Sequence, residues 1–290
     1  MASLVWGCCR LIGAMPHWLR YYVLQDTIYF IVYKCLRYRV GVVTENLRNS
    51  FPDRPMAEIK RIRRSFYHNL SEIFISTVSQ AAMSDDDCRR RVRVKNLDEV
   101  LSDLRGRDAL LSTAHFGCWE YDSFLALYMA AVYHPLENKV IDAVYMRLRR
   151  RRNIRLIPMK EIIRYYIDHR LPAGAPGQRI GIGLIADQNP PLRPNSHWFR
   201  FLNQDTVFFD GIEKMALKFH MPVYFCRQRR LRRGYYELEF LRLYDGVEQV
   251  APNEVTERYV RQLESDIVAD PGMWLWSHRR WKHRRPQCPS

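Results

Sequence analysis

Residues Asp108 to Tyr121 read DALLSTAHFGCWEY, and this stretch decides the fold class. Ala109-Leu110-Leu111 is a short apolar run of the kind that forms a buried strand. The run stops at His115, turns on Gly117 and leads into the apolar segment Trp119 to Val132, which is long enough for a helix. A histidine and a carboxylate, Glu120, therefore stand where a strand hands over to a helix, and in open α/β sheets ligands bind at that end of the strands. On a regular helix, residues five apart lie roughly 140° apart. His115 and Glu120 can meet only if the histidine sits in the turn, and Gly117 makes such a bend cheap.

Such a pair offers proton abstraction. A neutral imidazole can take a proton from a hydroxyl, and a carboxylate can fix its tautomer and stabilise the imidazolium. The bland alternative is a core histidine bonded to a backbone carbonyl, with Glu120 merely favouring a helix N-terminus. Cys118 offers a rival chemistry, a thiol nucleophile whose pKa a helix N-terminus would lower, against the plainer reading of a small buried cysteine.

A second buried strand follows at Ile180 to Asp187, IGIGLIAD. Its G-x-G-x-x-A spacing is not a dinucleotide fingerprint, because the glycines lie inside the strand and Asn189-Pro190-Pro191 follows where a helix would have to begin. What remains is Asp187 at a strand end near His115, there to position an acceptor or hold the loop, against the plainer reading of a turn-forming aspartate. Between the two strands, Leu136 to Pro158 reads as helical and carries Arg147, Arg149, Arg150, Arg151, Arg152 and Arg155, more than a solubilising face requires. A guanidinium here could stabilise developing negative charge or hold lipid phosphates.

His115 to Glu120, HFGCWE, resembles the H-x-x-x-x-D/E box of the lipid A late acyltransferases, the lauroyl and myristoyl transferases. Asn46-Leu47-Arg48-Asn49-Ser50-Phe51-Pro52 is similar to that family's "NL…FP" segment, and Leu184-Ile185-Ala186-Asp187-Gln188 to its second strand-end motif. Trp274-Leu275-Trp276 with His278-Arg279-Arg280-Trp281-Lys282 resembles its C-terminal signature. The four matches run in family order from about residue 40 to 286. The resemblance implies an O-acyltransferase of the glycerolipid-acyltransferase-like fold, with His115 as general base supported by Glu120. It places substrate contacts at Arg149, with Arg151 and Arg152 as competitors, and at Asp187 and Gln188. It implies acyl carrier protein as thioester donor, a Kdo-bearing lipid A precursor as acceptor, no cofactor, and the cytoplasmic face of a bacterial inner membrane. The residues themselves leave a glycerophospholipid or another glycolipid equally open as acceptor.

Composition is consistent with this. The chain has 290 residues, 47% of them apolar, enough for a sizeable core, and a net charge of +15 that favours anionic partners. Seven cysteines without paired spacing suggest reduced thiols, and no Cys/His cluster has metal-ligand spacing. Tryptophan interleaved with arginine, as in Trp274 to Arg285, suits a headgroup layer and equally single-stranded nucleic acid. No nucleic-acid module appears and the basic residues scatter over several elements, so no nucleic-acid partner is expected. A catalytically dead membrane scaffold is a third reading, disfavoured by the intact His115 and Glu120.

At the N-terminus, apolar blocks are broken by Arg10, Pro16, Arg20 and Gln25-Asp26, and the last, Tyr22 to Tyr33, is shorter than the ~20 residues of a spanning helix. Trp6, Trp18, Tyr21 and Tyr22 among Arg10, Arg20, Lys34, Arg37 and Arg39 fit a segment in a membrane interface, against the plainer reading of an amphipathic helix packed on the domain. The expected organisation is a membrane-associated arm, 1–40, and a catalytic α/β domain, 41–290, with a mainly parallel or mixed sheet flanked by helices. Within it, Ser84 to Asp87 reads as a loop, Trp198 to Phe209 as an aromatic loop that lines an acyl pocket or packs the core, and Asn253 as the cap of a helix over Glu254 to Val268.

Overall fold

The computed structural model describes residues 1–104, 106–124, 129–133, 137–150, 154–172, 175, 177 and 179–285. The chain opens with α1 (Ala2–Ala14) and a continuous helical stretch in which α2 (Gln25–Tyr29) lies between two π-helical turns, Leu19–Leu24 and Phe30–Cys35. Then come α3 (Val40–Ser50), the long α4 (Met56–Ser79), α5 (Asp85–Arg91), strand β1 (Val92–Val94), α6 (Leu97–Leu104) and β2 (Ala109–Thr113). The next elements are β3 (Met129–Tyr133), α7 (Lys139–Arg150), β4 (Ile154–Pro158), α8 (Ile162–His169) and β5 (Gly181–Ile185). A hairpin of β6 (Trp198–Phe201) and β7 (Gln204–Val207) follows, then α9 (Gly211–Phe219), β8 (Val223–Arg232), β9 (Tyr235–Tyr244) and α10 (Glu254–Ala269).

The fold class is the expected one. Seven strands form one mainly parallel sheet in the order β1-β9-β8-β2-β5-β3-β4, with helices packed on it. Among the described residues, β8 and β9 are the only pair in it that runs antiparallel. β2 is central and buried at every position, as a strand covered on both faces must be. Its partners are β8 and β5, and Thr113 stands opposite Ile185.

Several local expectations change. The apolar run Trp119 to Val132 is not one helix but a 3₁₀ turn, Trp119–Phe124, and then strand β3; a continuous apolar run fits either state, and here the sheet takes its second half. Of the stretch Leu136 to Pro158, in which 136 and 151–153 lie outside the described residues, Lys139–Arg150 forms α7 and Ile154–Pro158 the strand β4. Ser84 to Asp87 is a helix start, a capping box in which Ser84 and Asp87 each bond the other's backbone N–H, opening α5. Trp198 to Phe209 holds the β6–β7 hairpin, and Phe199, Phe201 and Phe208 are buried core residues packed on Trp274, Trp281 and Tyr259. Asn253 precedes α10 but is left-handed and makes no side-chain cap; Glu213 of α9 takes the Asn253 and Thr256 backbone N–H groups instead.

The N-terminal arm divides by face. Trp6 and Tyr21 are buried against the domain, contrary to their assignment to an interface, whereas Trp18 and Tyr22 are 60% and 56% exposed. The Tyr21 hydroxyl meets those of Ser76 and Tyr121 inside the core. Among the described residues no helix is long and apolar enough to cross a membrane. The six described cysteines are free thiols.

Candidate active site

The parallel register builds the site. Thr113 of β2 and Ile185 of β5 face each other at the last paired position, so the residues two further on, His115 and Asp187, leave the sheet side by side. One Asp187 oxygen lies 2.7 Å from His115 Nδ1, and the other accepts the His115 backbone N–H at 3.0 Å. The Trp274 indole N–H donates to that second oxygen at 2.8 Å. Asp187 is 2% exposed. Burial alone would raise its pKa, but the adjacent imidazole, the indole and the backbone N–H outweigh it and hold the carboxyl below its ordinary value.

With a carboxylate on Nδ1, the imidazole proton belongs on that nitrogen and Nε2 carries the lone pair. Nε2 lies 3.2 Å from the Gln188 amide nitrogen, which can donate to it. The Trp119 ring stands edge-on to the imidazole at 4.9 Å between centres, and the histidine side chain keeps 18% of its surface open. The arrangement can abstract a proton from a group delivered to Nε2.

The turn after His115 is fixed from three sides. Gly117 has φ +63°, a conformation that residues with a Cβ rarely adopt, and a Cβ there would also press to within 2.6 Å on Gln228 Oε1. Its N–H donates to the Met273 carbonyl, and the Leu275 N–H donates to the His115 carbonyl. The C-terminal segment thus clasps the histidine turn. Asn46 in turn donates its side-chain amide to the carbonyls of Trp276 and His278, both at 2.9 Å. Two motifs more than two hundred residues apart in sequence are one structural unit.

Glu120 sits differently from the sequence pairing. The carboxylate on His115 Nδ1 is Asp187, while Glu120 accepts both arms of the Arg149 guanidinium, at 2.6 and 3.1 Å. Glu120 is buried, and Arg149 reaches it from the C-terminal end of α7. Desolvation works against the Arg149 charge, yet the Glu120 carboxylate beside it raises its pKa above the ordinary value. Arg151 and Arg152 lie outside the described residues.

Cys118 is wholly buried, and burial, with Glu120, Glu72 and Asp122 nearby, pushes its thiol well above the ordinary pKa. It is not built as a nucleophile. Trp274 and Gln228 are site-forming residues that pattern reading did not assign. Trp274 stood in a recognised motif, but its bond to Asp187 has no local signal. Gln228 lies inside strand β8 and bonds the Cys118 carbonyl at 3.1 Å and Asp122 at 2.6 Å.

Comparison by family profile gives the class first: the chain is an acyltransferase. Residues 1–283 match the profile described as bacterial lipid A biosynthesis acyltransferase, and the chain belongs to that family, whose members act on lipid A. Among curated protein sequences none matches it.

Proposed function

We propose that the protein moves a fatty acyl group from an acyl carrier protein thioester to a hydroxyl of a Kdo-bearing lipid A precursor. The observation that carries this reading is the His115–Asp187 pair at adjacent strand ends, with Nε2 turned to Gln188 rather than to the core. The acceptor hydroxyl takes the place of the Gln188 amide on Nε2 and gives up its proton as its oxygen attacks the thioester carbonyl. Asp187 stabilises the imidazolium through Nδ1. The tetrahedral intermediate collapses by breaking the carbon–sulfur bond, and the imidazolium returns its proton to the departing thiolate. No acyl-enzyme forms, in keeping with the buried Cys118.

Glu120 and Arg149 form the second half of the site. Glu120 holds the guanidinium in a fixed fork, so that Arg149 brings a preorganised positive charge toward the acyl carbonyl or the acceptor. Gln188, released from Nε2, is a second donor for the same negative charge. Membrane contact comes from the exposed face of the arm, where Trp18, Tyr22, Phe30 and Ile31 are open to solvent. With a net charge of +15, the protein suits an anionic carrier and an anionic lipid.

The test is acyl transfer from labelled acyl carrier protein to the Kdo-lipid A precursor, with wild type beside His115→Ala and Cys118→Ala. Loss confined to His115→Ala supports direct transfer. A Cys118→Ala protein that is folded yet as inactive as His115→Ala sinks it.

A further inference from the structure

Away from His115, the N-terminal arm meets α5 and the β8–β9 hairpin, and there four basic side chains gather around two tyrosine rings. The guanidinium carbons of Arg20 and Arg91 lie 5.7 and 5.5 Å from the centre of the Tyr21 ring. Arg91 and Arg232 lie 5.0 and 4.0 Å from that of Tyr235. The His17 ring sits 4.6 Å from Tyr21 and 5.4 Å from Tyr235.

Arg20 and Arg91 are 7% and 6% exposed. Arg91 has one backbone partner, the Gly234 carbonyl at 3.1 Å. Arg20 Nε and Nη1 and His17 Nδ1 are buried and have no hydrogen-bond partner among the described residues. The carboxylate whose field reaches Arg20, Asp87, is itself held by Arg90 at 2.6 Å and by the Ser84 hydroxyl at 2.9 Å. A buried guanidinium with open donors and no counter-charge in contact is costly unless something anionic completes it. The tyrosine faces offset only part of that cost. Burial, then Arg91, Arg20 and Arg232, push the His17 pKa down to about 4, as expected where cations gather.

We propose that this junction is a binding site for a phosphate-bearing anion, held by Arg20, Arg91 and Arg232 with His17 as a further donor. Guanidinium forks match phosphate oxygens in geometry and charge. Trp18 and Tyr22, exposed on the same helical stretch as His17 and Arg20, set the site at the level of a headgroup layer. The two sources of such an anion are therefore a membrane phospholipid and free phosphate.

The experiment has two arms, each with wild type, Arg20→Met and Arg232→Gln. In the first, flotation is measured with phosphatidylglycerol and with phosphatidylcholine vesicles. In the second, the melting temperature is measured in inorganic phosphate and in chloride at equal ionic strength. A lipid source gives a preference for phosphatidylglycerol that falls about fivefold in Arg232→Gln and further in Arg20→Met. A free-phosphate source gives a wild-type melting temperature about 2 °C or more higher in phosphate, lost in both variants. In chloride, Arg20→Met should melt no lower than wild type, because it removes a buried unpaired charge. A lower melting temperature there makes Arg20 a structural residue and overturns the site. Should Arg20→Met not fold, the exposed Arg232→Gln decides, and an undiminished response in that variant overturns the proposal. So does a wild type that distinguishes neither the two lipids nor the two salts. None of these readouts depends on acyl transfer, so the catalytic proposal can fail while this one stands.

Discussion

Two buried aspartates flank the histidine turn, and their surroundings push them in opposite directions. Asp187 receives an imidazole, an indole N–H and a backbone N–H, which overcome its burial and keep it ionised. Asp122, on the 3₁₀ turn, is equally enclosed but has neutral donors, Gln228 and Thr113; burial, with Glu120 adding repulsion, raises its pKa to about 7. Burial alone therefore does not decide whether a carboxyl here is charged; the donors delivered to it do. The strand-end flank is built to hold a negative charge, and the 3₁₀ flank spends its cation, Arg149, on Glu120.

The sharpest test of this contrast is catalytic. His115→Ala should reduce kcat by about 10²–10⁴-fold while the protein stays folded. Asp187→Asn should cost about 10³–10⁴-fold in kcat, because an amide can leave the imidazole in the wrong tautomer; a variant within tenfold of wild type breaks the assignment of the strand-end flank. The same substitution has a signature in stability. Because its folded pKa is depressed, Asp187 contributes stability that is present above its unfolded pKa, about 3.9, and is lost as pH falls through the folded value. Melting curves from pH 5 down to 2 should accordingly be flatter for Asp187→Asn than for wild type.

On the other flank, Glu120→Gln or Arg149→Met alone should each destabilise by about 2–3 kcal/mol by breaking a partly buried, charge-assisted fork. The double variant should cost less than the sum, as a double-mutant cycle in urea would read; simple additivity would mean the fork is not coupled. Asp122 has the opposite linkage sign. Its raised pKa means that stability present below about pH 4 is lost as pH rises through about 7. Asp122→Asn, which keeps an acceptor for Gln228, should melt higher than wild type at pH 8 and much the same near pH 4. The smallest effect belongs to Cys118→Ala, with activity within about twofold and a stability cost of about 1 kcal/mol for a small core truncation.

What sequence could see follows from what is local. β2 and β5 are short apolar runs bounded by turn residues, β9 alternates along its length after the turn at Gly234, and α9 and α10 have helical spacing with clear ends. The strand β3 was hidden because Met129–Tyr133 continues an apolar run begun at Trp119. His115, Glu120, Arg149, Asp187 and Gln188 were all legible as candidates, but their partnerships were not. That His115 meets Asp187 follows from β2 lying beside β5 with Thr113 opposite Ile185, a fact of long-range register. That Glu120 meets Arg149 depends on where α7 lies. Val144, Leu148 and Trp6 form a small core of their own, and Arg147 stacks over the Trp6 ring at 4.2 Å. No spacing rule encodes that.

The clasp between the histidine turn and the C-terminal segment also sets a timetable. A nascent chain that has reached Asp270 already contains His115, Glu120, Arg149, Asp187 and Gln188. It still lacks the Met273 carbonyl for Gly117, the Leu275 N–H for the His115 carbonyl and the Trp274 indole for Asp187. During synthesis the candidate groups are therefore present before they are held, and the histidine turn gains its clasp only once Met273 to Leu275 have been made.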